Sequence, residues 1–472
     1  MNNCREVVRK YWPVIVICAF SFLLRMIFYK SHLLGWDSAV YLMMGKSLVT
    51  GGAVGFIEAF RPLPWSFFLG WLWKAGLDPI VYGTLAEIIL TIGIIILVYL
   101  IGKKIFNPVV GLAAAILLSS SSAFFFWGHS LYTDIPASFL GLLAVYLFTK
   151  ERFLLAGGIG AFASFLKFSQ VIPVMTWVVV SGWKPGRKKT FFQIAKFMAG
   201  FFTVTIMFLV LNNALYQHPL YPFYAASEIY NQVPHVWYRE VGYCVKMLFK
   251  IEGWIFIFAP FSLVVIKKRN WQQIGMLGVA TVTLIAVMKL PTYYDLPRFF
   301  ILTLPYLYIL SAYGIVEVFV WLKKRSVSLS CIFFVMIAIY TTLQFHRLTQ
   351  IPFRQDNLES LRIFLVKNEN NIHGPIWISN PGIVAVTDLK IDELMYYPVF
   401  DFNKASRLLE RLPEAGYIIL DSRALACRPK NDRACEDAKQ LLVKRIKGEF
   451  EGQMVVSTGS EDVTIGLFKR RE

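Results

Sequence analysis

The sequence predicts an all-α polytopic membrane domain followed by a small α/β domain. Of its 472 residues, 56% are hydrophobic, and the mean hydropathy is +0.54, which is more apolar than an ordinary soluble chain. Apolar runs of about 20 residues, the length that crosses a bilayer, recur along the chain and stop near Arg347. We therefore expect a membrane domain over residues 1–346 and a soluble domain over residues 347–472.

About eleven apolar segments are expected to cross the membrane, several of them close to the short limit for a span. In chain order they are 12–29, 79–102, 109–127, 135–149, 153–166, 170–183, 194–214, 246–266, 272–289, 298–322 and 327–345. Segment 63–75 has an apolar core of only about 13 residues and is rich in tryptophan, so we expect a helix that lies in the membrane interface. The first segment is too long for a cleavable signal peptide, so we expect it to remain as a span.

Short loops between the segments contain most of the excess of basic residues, which gives the chain a net charge of +18. Counted from the basic amino terminus, the clusters at 103–104, 184–189, 267–269 and 323–325 all fall on the cytoplasmic side, as such clusters usually do. A crossing by segment 63–75 would place every one of them outside. We therefore expect a multi-pass protein of the plasma membrane. The charge sets the topology and is no evidence for a nucleic-acid partner.

The unusual polar residues collect on the opposite, outer face. The same count sends there the loop 31–64, the turn 129–134, Lys167, the loop 290–298 and the C-terminal domain. Charged groups beside a span usually face a cavity or one another. The two shortest spans meet at Lys167, which favours a cavity cut into the outer half of the membrane. The sequence therefore predicts a polar site that opens to the outer leaflet.

Beyond residue 350, short apolar patterns predict a small α/β domain on the outer face. The expected elements are helices at 358–366 and 406–411, strands at 375–378 and 417–420, and a hairpin that joins 454–457 to 463–468. Cys427 and Cys435 bracket a turn in this domain. They form a disulfide if the compartment is oxidising, and a free pair is the alternative.

Five motifs follow one another in order along the predicted outer face. They are Trp36-Asp37-Ser38-Ala39-Val40-Tyr41, Arg61-Pro62-Leu63-Pro64, Leu131-Tyr132-Thr133-Asp134-Ile135-Pro136, Leu166-Lys167-Phe168 and Pro297-Arg298-Phe299-Phe300. As an ordered set within residues 12–345, they resemble the GT-C superfamily of integral-membrane glycosyltransferases. The nearest branch is similar to the protein O-mannosyltransferases and the aminoarabinose transferase that modifies lipid A. The chain departs from the pattern at Ser38, where an Asp-Glu pair is frequent, and at Arg61, where a lysine followed by Pro-Pro-Leu is commoner.

The resemblance implies a GT-C-type fold and an enzyme that transfers a sugar, with inversion, from a polyprenyl- or dolichyl-phosphate carrier. The acceptor would be a protein, a lipid or a glycan. The attacking group needs a proton acceptor near the anomeric carbon, and the resemblance gives this role to Asp37, with Trp36 and Tyr41 as sugar-facing aromatic residues. The alternative for Asp37 is that it caps the helix that begins near Ala39.

Asp134 is, by the resemblance, the second acidic residue of the site, and a plain helix N-cap is the alternative. His129, in the same turn, either assists it or is simply interfacial. Glu58 is either a metal ligand or a salt-bridge partner of Arg61. No cofactor is certain: because Ser38 replaces a carboxylate, metal dependence is left open, with Glu58 and Asp134 as the candidate ligands of a divalent ion.

Three basic residues are the candidate ligands of the carrier phosphate, namely Arg61, Lys167 and Arg298. Charge on the departing phosphate grows in the transition state, and fixed cations in a partly dry cavity stabilise it. The alternative for Lys167 and Arg298 is that they snorkel to the interface. Tyr294 and Asp295, just before Arg298, either orient it or contact the acceptor.

A transporter or flippase for a lipid-linked or anionic solute is the alternative function, with the same three basic residues along a passage. Many such proteins contain internal repeats and helices that are interrupted at mid-membrane. The sequence shows no repeat, and its polar residues lie at the outer ends of the predicted spans. The pattern therefore favours an enzyme. A polysaccharide ligase on a related scaffold would differ mainly in its acceptor.

Overall fold

The structure is a computed structural model, and it describes residues 2–28, 34–182, 187–232, 241–265, 270–289, 296–349, 358–395, 404–425, 427, 433–456 and 463–471. The helices up to residue 349 are α1 Asn2–Ile27, α2 Trp36–Thr50, α3 Leu63–Lys74, α4 Pro79–Ile105, α5 Pro108–Ser119, α6 Ser122–Trp127, α7 Asp134–Thr149, α8 Phe153–Leu166, α9 Val171–Gly182, α10 Arg187–Tyr216, α11 Tyr221–Gln232, α12 Val241–Glu252, α13 Phe258–Val265, α14 Trp271–Lys289, α15 Leu296–Phe299, α16 Leu304–Arg325 and α17 Val327–Thr349. Short 3₁₀ turns at Phe168–Gln170, Trp254–Ile257 and Phe300–Leu302 connect some of them.

The predicted helical membrane domain is confirmed as a fold class. Four helical stretches of the described chain are long and apolar enough to cross a membrane, at Pro79–Ile105, Thr190–Tyr216, Leu304–Arg325 and Val327–Leu348. Shorter apolar helical stretches lie at Tyr11–Ile27, Pro108–Ser119, Asp134–Thr149, Phe153–Leu166, Phe168–Val180 and Trp271–Val287. The predicted interfacial segment is the helix α3, which exposes Phe67, Phe68 and Trp71 and buries Leu63 and Leu69.

Two of the predicted spans are interrupted in the structure. Segment 109–127 breaks at Ser120 and Ser121 between α5 and α6, and segment 246–266 breaks after α12 at Gly253, which has a φ of +74°. Both breaks surround the buried carboxylate of Glu252. It accepts hydrogen bonds from Ser121 Oγ at 2.9 Å and Tyr308 Oη at 2.7 Å. The breaks supply the hydroxyl and backbone donors that a buried carboxylate needs.

The chain divides into two compact units. The first comprises Met1–Lys30, Thr84–Leu220 and His235–Pro352, and the second comprises Ser31–Gly83, Tyr221–Pro234 and Phe353–Glu472. In the first unit, α8 packs between α7 and α10 around large buried residues such as Trp177 and Phe197. The second unit contains both the predicted loop 31–64 and the C-terminal domain. The functional division at residues 346 and 347 stays a prediction.

The C-terminal part of the second unit is the expected α/β domain. Its elements are α18 Glu359–Asn368, β1 Ile376–Ile378, α19 Pro381–Val384, β2 Glu393–Leu394, α20 Lys404–Arg411, β3 Tyr417–Asp421, α21 Arg433–Glu449, β4 Phe450–Val456 and β5 Ile465–Arg470. The sheet has the order β2-β1-β3-β5-β4, with β2, β1 and β3 parallel and the β4–β5 hairpin antiparallel. Both predicted strands and the predicted hairpin are present, and the disulfide joins Cys427 to Cys435.

The first loop and the C-terminal domain are joined by hydrogen bonds within the second unit. Gly55 donates its N–H to the Leu389 carbonyl at 2.9 Å and accepts from the N–H of Ile391 at 3.1 Å. The buried Nζ of Lys46 on α2 donates to the Thr387 carbonyl at 2.7 Å and pairs with Asp388 at 2.9 Å. The loop that carries Asp37 and Arg61 is therefore held by residues more than 300 positions later in the chain.

Candidate active site

In the second unit, Arg61 forms ion pairs with two carboxylates. Its Nη1 lies 2.7 Å from Asp37 Oδ1, and its Nε lies 2.8 Å from Glu58 Oε2. The side chains of Asp37 and Glu58 are only 16% and 3% exposed, so water screens these charges weakly. Of the two interpretations of Glu58, the structure shows the salt-bridge partner of Arg61.

Close packing of α2 on α3 sets this geometry. A Cβ atom on Gly45 would lie 2.3 Å from the Ser66 carbonyl oxygen, so only glycine allows the two backbones to approach this closely. The helix α2 ends at Gly51, whose φ of +62° turns the chain back toward α3. The Arg61 guanidinium then lies 5.5 Å from the centre of the Tyr41 ring, which adds a cation–π contact.

Asp37 lies inside the first turn of α2, and Gly35 is the N-cap. The capping interpretation therefore does not describe this residue. A carboxylate in the first turn is still favoured by the helix dipole, which lowers the cost of keeping it ionised. Tyr41 is buried against Arg61, and Trp36 is half-buried. Their role as sugar-facing aromatics stays a prediction.

In the first unit, Asp134 accepts from two basic residues. Its Oδ1 pairs with Lys167 Nζ, and its Oδ2 lies 2.9 Å from Arg298 Nε. Asp134 is the first residue of α7, and Thr133 is the N-cap. Because Asp134 is buried, each of its oxygens needs a donor, and the two cations supply them. The structure thus brings together one predicted acidic residue and two of the three predicted phosphate ligands.

The local backbone explains why Lys167 and Arg298 reach this point. Lys167 terminates α8 in an extended conformation, and a 3₁₀ turn follows before α9 begins, as the two short apolar segments suggested. Arg298 lies in the short helix α15, with its guanidinium 4.2 Å from the centre of the Tyr132 ring. Tyr132 in turn stacks on Trp127 at 5.5 Å. Aromatic packing therefore fixes the orientation of the Arg298 fork.

His129 lies in the turn between α6 and α7, with its ring 5.8 Å from the ring of Phe125. Burial, and then the nearby charge of Arg25, lower the pKa of His129 to about 4, so the imidazole is neutral at pH 7. A neutral imidazole adds no positive charge to this region. Tyr294 and Asp295 lie outside the described residues.

The donor sets do not suit a divalent metal ion. Asp134 faces two cations, and Glu58 faces the guanidinium of Arg61, so a metal at either carboxylate would meet like charge at close range. No cluster of three His, Cys, Asp or Glu side chains able to hold a metal occurs within the described ranges. Glu58 and Asp134 are therefore poorly placed as metal ligands.

Glu87 is a buried acidic residue of this region that the sequence reasoning missed. It lies on α4, and its carboxylate accepts the backbone N–H groups of Leu131 and Tyr132 at 2.6 and 3.2 Å. The available signal was a single acidic residue inside an otherwise apolar run. An ionisable side chain in a membrane span costs free energy, so it is usually there for a function or has partners.

Comparison with known proteins supports a common architecture. Residues 68–212, which are less than a third of the chain, match the sequence profile of the dolichyl-phosphate-mannose-protein mannosyltransferase family. ArnT from Cupriavidus metallidurans, solved bound to undecaprenyl phosphate, has a TM-score of 0.66 at 10% identity over 97% of this chain and 98% of that chain. The chain has the fold of the GT-C glycosyltransferases.

Two further solved structures share the GT-C fold. The oligosaccharyltransferase AglB from Archaeoglobus fulgidus, in complex with an inhibitory peptide and a dolichol-phosphate, has a TM-score of 0.63 at 12% identity, over 98% of this chain and 74% of that chain. The mycobacterial arabinofuranosyltransferase AftD has a TM-score of 0.55 at 11% identity over 97% of this chain and 41% of that chain. An A. fulgidus oligosaccharyltransferase was also solved with Zn and sulfate. No curated protein matches the chain in sequence. The GT-C resemblance seen in the five motifs is thus confirmed for the fold.

Proposed function

We propose that the chain is a glycosyltransferase that moves a sugar from a polyprenyl- or dolichyl-phosphate carrier to an acceptor. The observation that carries the proposal is the convergence of Lys167 and Arg298 on the two oxygens of buried Asp134. Such a pair of fixed cations suits a phosphate group. The GT-C fold supports it, because ArnT was solved with undecaprenyl phosphate and AglB with a dolichol-phosphate.

The reaction would take place on the extracytoplasmic side of the plasma membrane. Basic clusters at 103–104 and 323–325 favour the cytoplasm, and the span count then places the C-terminal end of α8 and the beginning of α16 on the other side. The disulfide Cys427–Cys435 in the C-terminal domain supports this sidedness, because disulfides persist in oxidising compartments and are rare in the cytosol.

In the transfer step, an acceptor O–H or N–H attacks the anomeric carbon and the bond between that carbon and the phosphate oxygen breaks. Asp37 takes the proton from the acceptor, and the bonding pair leaves with the polyprenyl phosphate. Lys167 and Arg298 stabilise the charge that grows on this leaving group, and Asp134 keeps both cations in place. Arg61 is a further candidate ligand of the phosphate, and its Nη1 lies 2.7 Å from Asp37 Oδ1. No step runs through a metal ion.

The test is a transfer assay on purified protein in nanodiscs that contain a polyprenyl-phosphate hexose or pentose. Released polyprenyl phosphate is measured by mass spectrometry. Asp37→Asn is expected to lower turnover by about two orders of magnitude, as loss of an acid–base group does. Arg298→Ala is expected to lower it by roughly tenfold to a hundredfold, with a smaller effect on donor binding.

Arg325→Ala is the matched control, because Arg325 ends α16 at a predicted cytoplasmic cluster and its guanidinium contacts Trp321. This variant should keep wild-type turnover. Release of polyprenyl phosphate by neither wild type nor control, together with movement of intact lipid-linked sugar across the bilayer, would overturn the glycosyltransferase proposal in favour of a transporter.

A further inference from the structure

A single glutamate on α4 holds the turn that leads into the Asp134 cluster. Both carboxylate oxygens of Glu87 are used: Oε2 accepts from Leu131 N and Oε1 from Tyr132 N. Glu87 is fully buried, so its two hydrogen bonds lie in a low-dielectric setting, where each bond is strong and is costly to lose. One turn further along α4, Thr91 Oγ1 shares its single hydrogen between the Glu87 carbonyl at 2.8 Å and the Gly128 carbonyl at 3.2 Å, which lies at the other end of the same turn.

The backbone that Glu87 holds is strained. Leu131 has a φ of +57°, in the left-handed region, and its side chain is buried. A leucine is unfavourable there because its Cβ crowds the backbone, so the conformation persists only where neighbouring groups enforce it. The two hydrogen bonds to Glu87 act at Leu131 itself and at the next residue. They are therefore placed to enforce this conformation.

The strained turn determines where two charged side chains lie. Tyr132 projects from it, and the Tyr132 ring lies 4.2 Å from the guanidinium of Arg298. Two residues later, Asp134 receives Arg298 Nε at 2.9 Å. A rotation of the peptide between Leu131 and Tyr132 would move the ring from beneath the guanidinium and change the approach of Asp134 to it.

We infer that Glu87 is a positioning residue for sugar transfer, acting through the Leu131–Tyr132 backbone on Arg298. The inference rests on the proposed function, in which Arg298 stabilises the departing phosphate. Loss of the Glu87 acceptors leaves Arg298 charged but misplaced. Misplacement of a catalytic group by about 1 Å can cost roughly a hundredfold in rate. The effect falls on kcat more than on KM for the donor, because the contact is strongest in the transition state.

The first experiment compares Glu87→Gln with Thr91→Val in the nanodisc transfer assay, with a polyprenyl-phosphate sugar as donor. Glutamine keeps the size of the side chain but presents an NH₂ group to one of the two N–H donors. We expect kcat to fall by about tenfold to a hundredfold and KM to change by less than about threefold. Thr91→Val removes the other bond to the turn without contacting Leu131 or Tyr132, so it should lower thermal stability while keeping kcat within about twofold of wild type.

A second variant separates positioning from general stability. Glycine adopts a positive φ without a Cβ clash, so Leu131→Gly lets the turn form with less help from Glu87. In the Glu87→Gln background, Leu131→Gly should restore part of the lost kcat, although burial of the leucine side chain is lost. A residue that acted only through stability would give a further loss of kcat instead.

Tyr132→Leu keeps the test decisive if Glu87→Gln does not fold, because it removes the ring beneath Arg298 and leaves both N–H groups on Glu87. It should lower kcat as Glu87→Gln does. Wild-type kcat in Tyr132→Leu, or in a folded Glu87→Gln, would overturn the inference while the transfer activity of the wild type still stood. A wild type that releases no polyprenyl phosphate would instead overturn the proposed function.

Discussion

Replacing Asp134 with asparagine removes the carboxylate that Lys167 and Arg298 share. The two charge-assisted bonds are worth about 1.5–3 kcal/mol each. The side chains of Lys167 and Arg298 are 16% and 12% exposed, so water partly compensates for the loss. We therefore expect Asp134→Asn to lower the free energy of unfolding by about 3–4 kcal/mol, within the range for a buried ion pair broken from one side.

The measurement is equilibrium unfolding in mixed micelles, followed by tryptophan fluorescence. Glu414→Gln is the control, because it makes the same chemical change at a solvent-exposed pair with Arg411, at 2.8 Å. Exposed pairs contribute about 0–1 kcal/mol, so the control should unfold almost as the wild type does.

A double-mutant cycle with Arg298→Gln tests whether the cost of Asp134→Asn comes from the unpaired cations. The double variant should be more stable than the sum of the single effects predicts, by about 1–3 kcal/mol, because it leaves fewer unpaired charges. Additive single effects would refute the claim that this cluster is an electrostatic unit. An Asp134→Asn protein whose free energy of unfolding lies within about 1 kcal/mol of wild type, the range for an exposed pair, would refute it as well.

Three further outcomes follow from features of the same structure. Cys427→Ser opens the disulfide loop and should cost about 2–3 kcal/mol of unfolding free energy, whereas Cys331→Ser, at an exposed free cysteine, should cost almost nothing when both are measured without reductant. Lys46→Met leaves the Thr387 carbonyl without its lysine donor and should speed hydrogen exchange at residues 387–391. His129 has a folded pKa near 4 against about 6.5 unfolded, so its contribution to stability is present above pH 6.5 and is lost as the pH falls toward 4; His129→Leu should therefore show a shallower loss of thermal stability over that range than wild type.

Local patterns were sufficient to predict the elements that contain the candidate site. Apolar segment length gave the helical membrane domain, and the helix expected near Ala39 is α2. The pairing of Glu58 with Arg61 was one of two interpretations, because a separation of three positions brings two side chains together in a helical or tight turn. Interactions of this short range depend on the local backbone conformation, which sequence patterns can predict.

The contacts that the sequence did not predict join distant segments. Glu87 bonds to backbone groups 44 and 45 positions away, and backbone N–H groups carry no residue-specific signal. Gly253, with its positive φ, interrupts the apolar run 246–266. The run was predicted as one span because hydropathy carries no information about backbone dihedral angles. The helix α21 was missed because its apolar positions are few, with Leu442 and Ile446 buried among charged residues.

The bond between Lys46 and Thr387 has a consequence for how the protein is made. These residues are 341 positions apart. At a synthesis rate of about 5–20 residues per second, α2 leaves the ribosome roughly 17–70 s before the segment around Thr387 exists. During that interval Lys46 on α2 lacks the Thr387 carbonyl to which it donates in the finished protein. A nascent chain arrested before residue 387 therefore carries Asp37 and Arg61 without the segment that holds their helix in the finished protein.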